Sequence, residues 1–112
     1  GAEVSGKVLM AANSVPAVRL GGAQPAVNRP SADNLGLSGI TLELIDDQGE
    51  TIDTTVTNGR GQYTFSSFDE TGDYRIRIVL EPNLQTRLDS LDILISKGAT
   101  RLRELNFVVT RV

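Results

Sequence analysis

The sequence contains no cysteine, no histidine and no tryptophan. Without cysteine there is no disulfide, no thiol nucleophile and no thiolate metal site. Many secreted β modules also lack cysteine, so the compartment stays open. Without histidine, the commonest general base at neutral pH and the usual transition-metal ligand are both missing. Aromatic residues make up only 4% of the chain, so a core must rest on Val, Ile and Leu. No glycine-rich phosphate loop is present, and no run approaches the about 18 apolar residues of a membrane-spanning helix. No signal peptide opens the chain. The abrupt start "GAEVSG" reads as an excised domain whose targeting segment lies elsewhere, with Gly1 a tag remnant. The formal net charge is −3 and spread along the chain. That argues against nucleic acid or an anionic membrane as partner.

What is present fits one globular domain. At 112 residues, 39% hydrophobic and 22% charged, the chain can bury a modest core without staples. It reads as a single domain over 1–112 with a long loop insertion at 11–35. The most regular stretch is residues 36–68, "GLSGITLELIDDQGETIDTTVTNGRGQYTFSSF", which reads as a meander of strand, turn, strand, turn, strand.

Alternation supplies the faces. In "EVSGKVLM", Val4, Gly6, Val8 and Met10 share one side and Ser5, Lys7 and Leu9 the other. In "GITLELI", Ile40, Leu42 and Leu44 face one way, Thr41, Glu43 and Ile45 the other. "DDQG" and "NGRG" supply turn chemistry and residues tolerant of positive φ. "QYTFSSF" places Tyr63 and Phe65 inward, and "DETG" makes a third turn. "DYRIRIVL" sets Tyr74, Ile76 and Ile78 inward against Arg75 and Arg77.

"EPNLQTRLDSLDILIS" is ambiguous, because Leu84, Leu88, Leu91 and Ile95 also match a helix face. Pro82 and Asn83 spoil a helix start, and the preferred reading is a loop followed by a strand, "SLDILIS". After "KGAT", "RLRELNFVVTRV" turns Leu105, Phe107 and Val109 inward. Arg101 and Arg103 share their parity, so a bulge or late strand start near Arg103 is required to keep them out. About seven short strands with turns every 8 to 12 residues or so imply an all-β, antiparallel sandwich.

With these strands placed, "VSGKV", "GLSGITLELIDDQGE", "TTVTNGRGQYTFSSF", "TGDYRIRIV" and "ISKGATRLRELNFVV" resemble the SdrD B-like and Cna B-type repeats of bacterial surface adhesins. These in turn are similar to carboxypeptidase regulatory-like and transthyretin-like sandwiches. The resemblance implies a prealbumin-like, Ig-like Greek-key sandwich in a secreted or surface-attached (extracellular or periplasmic) multidomain protein. It also implies neighbouring domains of the same polypeptide as partners, with a surface protein or glycan as the alternative, and a monomer.

Two features of that family are carried over residue by residue. Some B-type domains form a Lys–Asn isopeptide bond beside a buried acid. Here Lys7 has outward parity, the position of the acid falls on Ile78, and Asn106 is opposite in parity to Leu105 and Phe107. Other members bind structural calcium, which wants six to eight oxygens, several of them anionic. The loop offers Asp33 and Asn34, with Asn34 where the family's Glu is expected. Asp46 and Asp47 form the other close carboxylate pair, more simply a solvated turn. No other cofactor is expected.

Cationic candidates for a binding surface are Arg19 and Arg29 in the loop and Arg75 and Arg77 on their strand. A stripe of Arg75, Arg77, Arg101 and Arg103 would suit an acidic glycan or peptide, while cross-strand pairing with Glu43 is the plainer reading. Tyr63 and Tyr74 have core parity rather than that of sugar-stacking platforms. The acids sit in turns, where water leaves little scope for pKa tuning, and the transthyretin-like purine hydrolases rely on histidine. The expectation is no catalytic residue and no enzyme. A structural or spacer module comes first, an adhesion or carbohydrate- or protein-binding module using the 11–35 loop second, and an accessory domain regulating a linked enzyme third.

Overall fold

The computed structural model describes residues 2–11, 35–68, 71–96 and 100–112. Most of the 11–35 insertion, with the tips of the "DETG" and "KGAT" turns, lies outside the described residues. The described residues form ten strands: β1 Ala2–Met10, β2 Leu35–Gly36, β3 Thr41–Ile45, β4 Thr51–Val56, β5 Gln62–Phe68, β6 Gly72–Val79, β7 Leu84–Thr86, β8 Ser90–Ile95, β9 Thr100–Leu102 and β10 Phe107–Arg111. The difference from seven comes from β2, β7 and β9, which are two or three residues long. So short a strand has no alternation to detect.

Two sheets face each other. One has four strands in the order β4-β3-β6-β8, all antiparallel. The other is organised around β1, with the path β2-β1-β10-β7 and with β5 and β9 also paired to β1. The expected antiparallel sandwich is present, with one sheet mixed, because β1 pairs in parallel with both β9 and β10. Parallel neighbours need a long crossover, and the intervening domain provides it.

The meander reading is corrected. β3 and β4 form a hairpin, but β5 leaves their sheet and pairs with β1. The physical reason lies on β4, whose residues opposite Leu42 and Leu44 are Thr55 and Asp53. A polar inward face ends the apolar layer, and the chain crosses to the other sheet instead of adding a strand.

The core is the space between the sheets. Val4, Val8, Tyr63, Phe65, Phe107 and Val109 meet Leu42, Leu44, Tyr74, Ile76, Ile78, Ile93 and Ile95 there. Each full burial of an aliphatic or Phe side chain stabilises the fold by about 1.5–3 kcal/mol. Tyr63 contacts Phe65 edge-on at 6.0 Å and Phe107 at 6.5 Å between ring centroids, so these three rings cluster in one place. Residues 84–95 contain strands rather than a helix: Ile93 and Ile95 are buried, and Leu88 is exposed. Ile45 stays outside the central core cluster yet is buried, at a register shift between β3 and β4.

The bulge required near Arg103 is present one residue later. Glu104 adopts a φ of 60°, which reverses parity between Leu102, half-buried on β9, and Phe107, buried on β10. This kink packs against β1 at Gly6, where a Cβ atom would lie 2.0 Å from the Leu105 carbonyl oxygen. No side chain fits that gap without moving backbone. Gly6→Ala is therefore expected to cost roughly 3 kcal/mol, at the upper end for overpacking, as a lower urea midpoint at unchanged m-value. A variant of wild-type stability would show that the kink does not sit on β1.

Candidate functional site

Among the described residues, two concave regions and three ion pairs have chemistry to offer. The larger cleft, of about 550 Å³, is lined by residues including Lys7, Asn58, Gln62, Tyr63, Arg103 and Glu104. Among its polar side chains, Asn58, Gln62, Tyr63 and Glu104 are engaged with the chain itself. Asn58 Oδ1 accepts the backbone N–H groups of Arg60 at 2.9 Å and Gln62 at 3.0 Å, while its Nδ2 donates to Gln62 Oε1 at 3.0 Å. This arrangement closes the "NGRG" crossing. The Tyr63 hydroxyl donates to the Leu105 carbonyl at 2.6 Å, and burial pushes its phenol far above the ordinary value.

Beside the crossing, Thr57 is the one buried polar side chain in the described core. Its hydroxyl accepts the Ile40 N–H at 2.9 Å and donates to the Leu37 carbonyl at 2.7 Å. Both backbone groups belong to the approach to β3, so Thr57 fastens that approach to the exit from β4.

The second groove, about 390 Å³, is lined by Ile45, Asp46, Asp47, Gly49, Asp73, Tyr74, Arg75 and Asp92. Asp46 is a turn former: its Oδ1 accepts the N–H of Gln48 at 3.0 Å and of Glu50 at 2.8 Å. Among the described residues no three Asp or Glu side chains are grouped so as to hold a metal ion. The other calcium candidates, Asp33 and Asn34, and the loop cations Arg19 and Arg29 lie outside the described residues.

Arg75 pairs with Asp92 at 3.0 Å and Arg77 with Glu43 at 2.6 Å, both across neighbouring strands of the four-stranded sheet. Arg101 pairs with Glu3 at 3.0 Å, on β9 and β1 of the other sheet. The structure therefore does not gather Arg75, Arg77, Arg101 and Arg103 into one stripe. Each exposed pair contributes well under about 1 kcal/mol.

The residues discussed for a Lys–Asn crosslink are close together in a different way. The Lys7 backbone N–H donates to Asn106 Oδ1 at 2.8 Å, while the Lys7 side chain is exposed. Ile78, at the position of the acid, is buried in the core. Sequence reading missed Thr57 and the structural role of Asn106. A lone Thr after a strand of threonines carries no signal, and Asn106 shows its role only once the kink at Glu104 is known.

A two-sheet sandwich closed by its first and last strands, with polar side chains engaged in holding turns, is an Ig-like architecture. The SdrD B-like domain family matches residues 29–90, more than half of the sequence, and the chain belongs to that family. No curated protein sequence matches it.

Several solved structures share the fold. The minor pilin GBS52 of Streptococcus agalactiae superposes with a TM-score of 0.62 at 14% identity, covering 98% of this chain and 44% of that one. The shaft pilin SpaA of Lactobacillus rhamnosus GG gives 0.65 at 12%, covering 97% and 50%. The RrgB pilus protein of Streptococcus pneumoniae gives 0.60 at 16%, covering 98% and 25%. This chain thus spans half or less of each pilin.

Tyr63 gives the site a pH signature. Above pH 10.0, the ordinary phenol value, an unfolded Tyr63 releases its proton while the folded one retains it. The unfolded state then binds fewer protons, so stability falls as pH rises from there toward the folded value. Tyr63→Phe is expected to lose about 1 kcal/mol at neutral pH, for the hydrogen bond, and to decline less steeply than wild type above pH 10. Urea titrations at neutral and alkaline pH check this; parallel slopes would remove the burial of the phenol.

Proposed function

We propose that the chain is a non-catalytic structural spacer of a secreted or cell-surface multidomain protein, holding neighbouring domains of the same polypeptide apart. One observation carries this reading: the two chain ends leave from opposite ends of the sandwich. Ala2 begins β1 beside Thr100, and Val112 follows β10 beyond the Met10–Val109 pair, with β1 and β10 parallel. Nine residues of β1 at about 3.3 Å each separate entry from exit by roughly 30 Å. A domain of this kind adds length to a chain with each copy.

The side-chain chemistry agrees with that role. The hydroxyls and amides of Thr57, Asn58, Tyr63 and Asn106 bond to the protein's own chain. Family membership and the pilin-like fold give the surface setting its support. No described feature favours adhesion or enzyme regulation over spacing.

The test is replacement in the parent protein. Substituting an unrelated rigid domain of equal end-to-end length should preserve the reach and function of the flanking domains, measured as surface accessibility of the distal domain. Deletion should shorten that reach. Loss of a specific ligand interaction on equal-length replacement would contradict the spacer reading and favour a binding module.

A further inference from the structure

The last part of the chain runs beside the first as two pieces, and the joint between them is where a ladder normally breaks. β9 pairs with residues 2–4 of β1 and β10 with residues 8–10. Between them lies the 103–106 segment, kinked at Glu104 with its φ of 60°. Such an irregularity strands the backbone groups opposite it.

Here those groups are met one by one. The Ser5 carbonyl accepts the Leu105 N–H at 3.0 Å. The Lys7 N–H donates to Asn106 Oδ1 at 2.8 Å, a side-chain oxygen where a ladder would supply a carbonyl. Asn106 Nδ2 donates in turn to Glu104 Oε1 at 3.3 Å, which orients the amide. The Leu105 carbonyl takes the Tyr63 hydroxyl from the other side of β1. Beyond the end of β1 the run continues with Ala11 N–H to the Val109 carbonyl of β10 at 2.9 Å.

We propose that β1, β9 and β10 form a clamp against tension applied through the chain ends, and that Asn106 is the positioning residue that keeps the clamp continuous across the kink. The proposal rests on the spacer reading, because a spacer between domains carries whatever force separates them. Pulling Ala2 and Val112 apart slides parallel strands past each other along their length. All the bridging hydrogen bonds then resist together, and β5 holds the opposite edge of β1. Pulling from one corner opens the same bonds in turn, each alone. The clamp is thus directional.

The test is single-molecule pulling of the full chain along two axes. One uses handles fused at both ends. The other uses the C-terminal handle with Leu35→Cys, a unique thiol since the chain has no cysteine, at the β2 end beside Met10. Unfolding under force is governed by the barrier rather than by equilibrium stability. Wild type should unfold at markedly higher force end to end than along the 35–112 axis.

Asn106→Ala should unfold about fivefold faster at fixed end-to-end force, the factor for one ordinary hydrogen bond, and at the wild-type rate along the second axis. Asn106→Asp with Glu104→Gln, which keeps the acceptor, should restore the force. Equal wild-type forces on the two axes overturn the proposal, even if Asn106→Ala does not fold. So does an Asn106→Ala chain unchanged end to end, or accelerated equally on both axes. The spacer reading survives each of these failures, since it depends on the reach of the parent chain.

Discussion

The structure depends on one shared strand. β1 is paired along both edges: β5 and then β2 follow one side, β9 and then β10 the other. A nine-residue strand engaged by four others has little freedom to slip, because a one-residue shift would turn Val4 and Val8 out of the core. Its apolar residues then fix the height of Phe65, Tyr63, Phe107 and Val109 across the same sheet. The backbone around it is so close that Gly6 stands where any side chain would collide with the 103–106 kink.

The second constraint is how the chain passes between sheets. The apolar layer ends at β4, whose inward positions are polar, and the next residues must cross. Thr57 satisfies backbone groups at that crossing inside the core, as buried polar groups require, and Asn58 caps the exposed turn beside it. Side chains of a type that elsewhere carry out chemistry are here used to hold the backbone. The outer faces are finished with cross-strand ion pairs of little energetic consequence. Family membership, fold and the disposition of the ends support the proposed spacer reading, in which the module's output is geometry.

Much of this was legible from alternation alone. The inward sets Leu42 and Leu44, Tyr63 and Phe65, Tyr74, Ile76 and Ile78, and Phe107 and Val109 are all buried, because period-two patterning reports directly on which face meets the core. The parity conflict at Arg101 and Arg103 required an irregularity, and Glu104 provides it. Pairing was less legible. Residues 36–68 look like neighbours because sequence-adjacent strands usually pair, and nothing local announces that β5 belongs beside β1. The parallel partnership of the two chain ends joins residues about a hundred positions apart, which no window on the sequence can register. Asn106 illustrates the limit for the site: its exposed parity was visible, but its bond to the Lys7 amide exists only because of a kink two residues earlier.

If β1 is the strand on which the sheet is built, its amides should be among the last to open. Native-state hydrogen exchange measures this directly. The Lys7 and Val8 amides, bonded to Asn106 Oδ1 and to the Gly61 carbonyl, are expected to exchange only with global unfolding, at the same free energy as Leu42 and Ile76 in the other sheet. Exchange at Lys7 and Val8 through a separate low-energy opening, while Leu42 and Ile76 remain protected, would contradict the account.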